Sequence, residues 1–358
     1  MLKDVPFYNK GAVVEVGNLQ KWDLDLMFFA KGFLCWLFHI LGIKGGRRML
    51  IVDAHTHIVD EGWMPKKWWD GLARVYVHAL EEMGISMTVD QVKSQIFQGF
   101  FDPDGEKLIR EMDAAGIDVS VVCPVDYGLA LGEPPTPIEE QNQIFAEIQR
   151  KYPKRVVALV SVDPRRPEAD KIVRAGLEDL GLKGLKLHPA SGFYPNEPCV
   201  YKLLSIAREF NVPVLFHTGQ IVQPLRSKYC NPIYLDDLLI DFPELTIQAA
   251  HMGFGWRYEL FHMGATKTNL VVDFSGWQTI ARSNFKRFCE ALRECIDEFG
   301  ASRVLFGTDG PYLRAAMPDK EFVDMVKNLP EKAPEGITFT KEEIEAIIGG
   351  NAKRIYNL

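Results

Sequence analysis

From Leu50 onward, short β-branched apolar runs alternate with helix-length amphipathic stretches, and that alternation leaves few folds open. The runs are Leu50 to Val52, Ile117 to Val122, Val156 to Val162, Gly184 to Leu187, Val212 to Phe216, Leu245 to Ala250, Leu270 to Phe274 and Val304 to Phe306. Helical periodicity fills most of the intervals, as in Ile138 to Lys151, Glu168 to Leu180, Val200 to Phe210 and Asn284 to Phe299. Strands separated by such helices pair in parallel through right-handed crossovers. Eight units over about 300 residues predict an α/β fold, the (β/α)8 TIM barrel. A doubly wound open sheet would carry a glycine-rich phosphate loop after its first strand. Here that strand runs into Asp53-Ala54-His55-Thr56-His57 instead.

Two segments stand apart from the repeat. The link between the first two runs, Val59 to Ile109, is too long for a plain strand-helix unit and contains Trp63, Trp68, Trp69, Tyr76, Phe97, Phe100 and Phe101. A barrel places this insertion at its C-terminal rim, either as an aromatic wall over a pocket or as an excursion with its own small core. Trp63 is its candidate substrate contact. Before the barrel, residues 1–49 form an extension in which Leu26 to Ile43 reads LMFFAKGFLCWLFHILGI, followed by the basic Lys44-Gly-Gly-Arg47-Arg48. Lys31, Cys35, His39 and Gly42 line one stripe of a helix there, so the segment is lopsided. Three roles fit it: a helix buried on the barrel or in an oligomer interface, one lying on a membrane surface, or a span near the lower length limit. The flanking residues mix both charges and no small-x-small site follows, unlike a cleaved signal.

Composition excludes some functions. The formal charge is −7 with no long basic run, which argues against nucleic-acid binding. The six cysteines are scattered without a CxxC pair, which fits a reducing cytoplasm better than a disulfide framework or a zinc knuckle.

Five of the eight histidines fall on or after predicted strands: His55 and His57 after the first, His188 after the fourth, His217 after the fifth and His251 after the sixth. Strand residues two apart share a face, so His55 with His57, and Lys186 with His188, can point together into a barrel mouth. Asp309 ends the eighth run in Leu305-Phe-Gly-Thr-Asp309-Gly-Pro. Any one of these is more often a hydrogen-bonded structural residue. Their conjunction in one barrel points to a divalent ion such as zinc, with positions left open for water and substrate.

The ordered motifs resemble the amidohydrolase superfamily, in its amidohydrolase-2 branch of decarboxylase-like, metal-dependent enzymes. They are Val52-Asp-Ala-His-Thr-His57, Met112-Asp-Ala-Ala-Gly-Ile-Asp118, Gly184-Leu-Lys-Leu-His-Pro189, Pro213-Val-Leu-Phe-His-Thr-Gly219, Phe242-Pro-Glu-Leu, Ala250-His-Met-Gly253, Arg303-Val-Leu-Phe-Gly-Thr-Asp309 and Gly350-Asn-Ala. The resemblance covers residues 50–358. It implies that His55, His57, His217 and Asp309 hold the metal: one ion rather than two, zinc first, with manganese or iron(II) as alternatives. It also implies a catalytic role for Asp309 and His251 in proton transfer, with Lys186 and His188 beside them, and a homodimer. Lys186 is left open between a carbamate, a protonated substrate-binding amine and a simple salt bridge.

Hydrolysis of a small amide, lactone or ester through a metal-activated water is the leading expectation. Its rival is non-oxidative decarboxylation of a small aromatic or semialdehyde carboxylic acid, with His251 delivering the proton. His217-Thr-Gly in place of a His-Pro-Trp-like run, together with Lys186, favours hydrolysis. A non-catalytic, membrane-associated barrel is the third reading. Arg226, Arg257 and Arg314 are candidates to grip a substrate carboxylate, against the commoner role of a surface ion pair.

Overall fold

Nine short strands carry the predicted runs: β1 Val52–Thr56, β2 Val119–Val122, β3 Val156–Ala158, β4 Val160–Ser161, β5 Leu185–Leu187, β6 Val214–Phe216, β7 Ile247–Ala249, β8 Leu270–Asp273 and β9 Val304–Leu305. The computed structural model describes residues 48–358. The apolar stretch 26–43, with its expected helix and its membrane or interface role, lies outside the described residues. Among the described residues no helix is long and apolar enough to cross a membrane.

The strands pair in chain order, β1 to β3 in one sheet and β4 to β9 in another, every ladder parallel. The third predicted run is the seam. It breaks at Leu159, whose N–H donates to the Val122 carbonyl at 2.9 Å, while the next N–H, of Val160, turns to Gly184 at 2.9 Å. At the opposite side β1 meets the segment after β9. The Ala54 N–H donates to the Phe306 carbonyl at 2.9 Å, Asp309 to His55 at 2.8 Å, and His57 to Gly310 at 2.9 Å.

The period of two sorts the strand side chains into two layers. Val122, Val156, Leu185, Leu187, Val214, Phe216, Ile247, Val272 and Val304 join a large apolar cluster with the surrounding helices. Val121, Val157, Leu159, Leu215, Val271 and Leu305 form a second cluster, closed by Ala352 and Ile355 from the last helix, Asn351–Ile355, and by Tyr356 just after it. Lys186 stands between the outward Leu185 and Leu187, and Asp273 two residues beyond Val271, so both follow the inward period. The β1/β2 register shifts between Asp53 and Thr56, an irregularity that alters which side chains of β1 face inward.

The helices keep their predicted places, at Ile138–Lys151, Ala169–Glu178, Pro198–Glu209 and Phe285–Phe299. Thr340 and Glu343 make a capping box that opens the helix Lys341–Glu345. The insertion after β1 contains the helix Lys66–Glu82 and has its own apolar cluster, in which Met64, Trp68, Trp69, Leu72, Phe97 and Phe100 join Tyr127 and Leu131. Both readings of it hold, since the small core also leans on the barrel's loops.

The foot of β1 is set by a close approach. Gly349, in the turn Ala346–Gly350, lies so near β1 that a Cβ there would collide with the Leu50 carbonyl. Because backbone cannot yield as a side-chain tip can, Gly349→Ala is expected to cost about 3 kcal/mol. The denaturation midpoint reads this directly, and an unchanged midpoint would refute the close approach.

Candidate active site

Every predicted site histidine reaches the C-terminal mouth of the strands. His55 lies within β1 and His57 just beyond it. His188 follows β5, His217 follows β6, His251 lies two residues past β7, and Asp309 four past β9. All five histidines are buried, and Asp309 keeps some solvent access, its side chain 22% exposed.

The residue that organises them is Asp273, fully buried at the end of β8. Its Oδ2 accepts from His55 Nδ1 at 3.2 Å and from the Gln248 amide at 2.7 Å. Its Oδ1 accepts from the Ser275 hydroxyl at 2.5 Å and from the backbone N–H of His251 at 3.1 Å. Ser275 Oγ lies 3.1 Å from His55 Nδ1 and 2.9 Å from His251 Nδ1. One carboxylate and one hydroxyl thus position two imidazoles on different strands. Burial works against a charged Asp273, but His55 outweighs it and holds the carboxyl below the ordinary range.

With Nδ1 of His55 committed to Asp273, its Nε2 faces Lys186 Nζ at 3.0 Å and Asp309 Oδ1 at 3.8 Å. His57 is fixed likewise. Its Nδ1 lies 3.0 Å from the Cys123 carbonyl, leaving Nε2 3.5 Å from Asp309 Oδ1. Nitrogen-to-oxygen gaps of this size are long for hydrogen bonds and leave room for a cation between them. His251 Nε2 meets His217 Nδ1 at 3.1 Å, and Nε2 of His217 is buried without a partner. His188 stacks on His217 with centroids 4.1 Å apart, donates to or accepts from Tyr127 at 3.1 Å through Nε2, and leaves Nδ1 unpartnered. Orphaned buried nitrogens call for an explanation, and a metal ion is one.

The donor set therefore fits a divalent cation, though its grouping departs from the predicted ligands: His251 and Cys123 enter and His217 does not. The tightest groups join His55 and Asp309 to His251, and His55 and His57 to Cys123, with donor atoms within 4.8 Å. His217 joins them through His251.

Two site residues sit on left-handed backbone, His251 at φ 64° and Asp309 at φ 53°. Such conformations cost a non-glycine residue about 1–2 kcal/mol. The Trp277 indole donating to the His251 carbonyl at 2.7 Å, and Phe254 stacked on the His251 ring at 5.0 Å, hold that turn.

Trp63 is buried against Phe145, centroids 5.6 Å apart, in the layer between barrel and helices. It is Trp68, five positions on, that packs against Tyr127 beside the site. Arg257 stacks on Tyr258 at 4.2 Å and faces Glu294 at 3.7 Å, while Arg314 is paired with Asp319 at 2.7 Å; for both, the ion-pair reading describes what is seen. Arg226 is exposed in the loop after β6. Sequence reasoning missed Asp273, Ser275, Gln248 and Tyr127. The acid of Asp273 inside an otherwise apolar run was the available signal.

A parallel barrel with imidazoles and a carboxylate gathered at the strands' C-terminal ends is the plan of a barrel enzyme. The chain belongs to the amidohydrolase family, whose profile matches residues 52–358. It is 21% identical over 346 residues to a 2-amino-3-carboxymuconate-6-semialdehyde decarboxylase of Dictyostelium discoideum, covering 87% of this chain and 92% of that one. It also resembles the 5-carboxyvanillate decarboxylase of Novosphingobium aromaticivorans, solved with manganese and 4-hydroxy-3-methoxy-5-nitrobenzoic acid. The TM-score is 0.58 at 19% identity, over 88% of this chain and 97% of that one. A 2,6-dihydroxybenzoate decarboxylase from Rhizobium aligns with TM-score 0.59 at 18% identity, over 86% and 99%. At these identities the solved structures establish the fold.

Burial pushes His55 down to about 3 and, with Lys186 and the neighbouring imidazoles, holds His188 and His217 well below the ordinary histidine range. These three are neutral when folded and take up protons on unfolding below about pH 6.5, their ordinary range. Burial raises Asp53 to about 7, and Cys123 and Asp309 outweigh burial to raise His57 to about 10; both act in the opposite sense, but two groups do not offset three imidazoles. Stability of the metal-free protein should therefore fall as pH drops from 6.5 toward 4, and a flat urea-denaturation profile there would contradict the buried neutral imidazoles. Separately, Asp273→Asn should weaken metal binding about 10–100-fold by loosening His55. Metal titration checks this, and wild-type affinity would remove Asp273 from its positioning role.

Proposed function

We propose that the chain is a metal-dependent, non-oxidative decarboxylase of a small aromatic or semialdehyde carboxylic acid. The observation that carries the reading is Lys186. It is fully buried, its Nζ meets the His55 imidazole, and no carboxylate among the described residues lies within ion-pair distance. A buried ammonium without an acid partner is costly. An acid substrate supplies the missing anion at the depth where the imidazoles converge.

The three relatives described above are decarboxylases, which weighs for this reading over hydrolysis. The departures at His217-Thr-Gly and Lys186 are then features of substrate binding. His55, His57, Asp309 and the free Nε2 of His217 would hold the metal, manganese or zinc. Bound there, it would supply a Lewis-acid anchor for substrate oxygens. Lys186 orients the carboxylate. With His217 Nε2 given to the metal, its Nδ1–H donates to Nε2 of His251, which is held by Ser275 and stacked on Phe254; His251 takes up a solvent proton at Nε2 when that bond opens toward the substrate. As the carbon–carbon bond breaks, its electron pair stays on the substrate carbon, which takes the His251 proton while neutral carbon dioxide leaves.

The full chain, stripped with chelator and reloaded with manganese or zinc, is tested against 2,6-dihydroxybenzoate, 5-carboxyvanillate and a parallel panel of lactones and esters. Carbon dioxide release, with one solvent deuterium on the product carbon, is expected. His251→Asn should lower the rate about 10²–10⁴-fold while retaining metal. Incorporation of solvent oxygen without carbon dioxide would restore hydrolysis as the reaction.

A further inference from the structure

The nitrogen of His55 that faces the mouth is already in use. Its Nδ1 lies 3.2 Å from Asp273 Oδ2 and 3.1 Å from Ser275 Oγ, whose own proton goes to the same carboxylate at 2.5 Å. Nδ1 therefore carries the ring proton, and Nε2 holds the one in-plane lone pair left to the ring. Lys186 Nζ meets that lone pair at 3.0 Å. An unprotonated ring nitrogen can only accept, so the contact runs one way, from Lys186 to His55.

A cation needs the same lone pair. Asp309 Oδ1 stands 3.8 Å from His55 Nε2 and 3.5 Å from His57 Nε2. An ion held among these three atoms sits about 2 Å from each imidazole nitrogen, and one lone pair cannot serve it and an N–H donor together. Lys186 has to leave His55 when a cation arrives. The protein offers it no other anchor: Lys186 is fully buried, the groups around it include His188, His217 and Cys230, and no carboxylate among the described residues lies within ion-pair distance.

We propose that Lys186 gates the metal site: it caps the ligand nitrogen of His55 until a cation displaces it, and the displaced amine then takes up a carboxylate, so that cation and carboxylate bind cooperatively. The cap stands on the hydrogen bonds of His55; that the anion is a carboxylate rests on the decarboxylase reading. Coupling between two ligands is reciprocal, so the carboxylate raises the affinity for the cation by the same factor as the cation raises that for the carboxylate. A cap closed most of the time lowers the apparent affinity for the cation by the fraction of sites left open.

Calorimetric titration of the chelator-stripped full chain with manganese, in the absence and presence of benzoate, tests the gate. Lys186→Met keeps an apolar stem of similar length and removes the donor. The variant should bind manganese about tenfold more tightly than the wild type. Benzoate should tighten manganese binding by the wild type about tenfold and leave that of the variant unchanged. The sign decides the matter, because a lysine that ligated the ion, as an amine or as a carbamate, would weaken binding on removal. Equal or weaker binding by the variant overturns the proposal, and so does a benzoate effect that survives the substitution. Should the variant fail to fold, the wild type suffices: a manganese affinity indifferent to benzoate overturns the proposal. No arm measures turnover, so a chain that shows this coupling but releases no carbon dioxide overturns the decarboxylase reading alone.

Discussion

A single buried carboxylate holds the mouth of the barrel together. Asp273 accepts hydrogen bonds from His55, Gln248, Ser275 and the His251 backbone, so β1, β7 and β8 are tied at the level where chemistry occurs. Gln248 is itself bonded to the Tyr356 hydroxyl at 2.7 Å, which links the site to the last helix closing the other end of the barrel. The apolar floor of Leu215, Val271 and Leu305 lies below this layer and the open imidazoles above it. The polar layer is affordable because nearly every member is satisfied by another; a half-paired network at this depth would weaken the fold.

The same arrangement decides which nitrogen of each histidine is available. His55 and His57 each commit Nδ1, one to a carboxylate and the other to a carbonyl, so both present Nε2 toward Asp309. His217 commits Nδ1 to His251 and likewise leaves Nε2 free. For His55 and His57 the partners fix which nitrogen faces Asp309 without any ion present, an arrangement that fits a cation between them.

The sequence made the scaffold legible because the period of two and the helical period are local and survive in a single chain. The strand-end histidines could be read for the same reason: a run of Leu185, Lys186, Leu187 announces which side chain faces inward. What escaped was anything that depends on a partner distant in sequence. Asp273 sits inside a run that reads as an ordinary core strand, and its contacts reach back 218 positions to His55. Among the insertion's aromatics, Trp63 and Trp68 are equivalent by composition, and only the packing of the excursion's small core sends the first toward Phe145 and the second toward Tyr127. The arginines show the converse. Arg257 and Arg314 are plausible carboxylate clamps until the fold reveals Glu294 and Asp319 beside them.

Strain and charge at the mouth have a common logic. His251 and Asp309 occupy left-handed backbone that neither residue favours, and each is retained by groups outside itself: Trp277 and Phe254 for the first, the His55 carbonyl for the second. Relaxing either turn would re-aim its side chain away from the mouth, so the barrel's ladders hold in place a geometry that local preference would abandon. Lys186 presents the electrostatic counterpart. Its Nζ is buried against the His55 imidazole, while the two carboxylates across the same mouth, Asp273 and Asp309, face histidines instead. Placing a third acid in the chain would neutralise the lysine and close the site to anions. In the proposed decarboxylase an incoming carboxylate would complete that pair, so the contact left unmet in the free protein would be the one that orients an acid substrate.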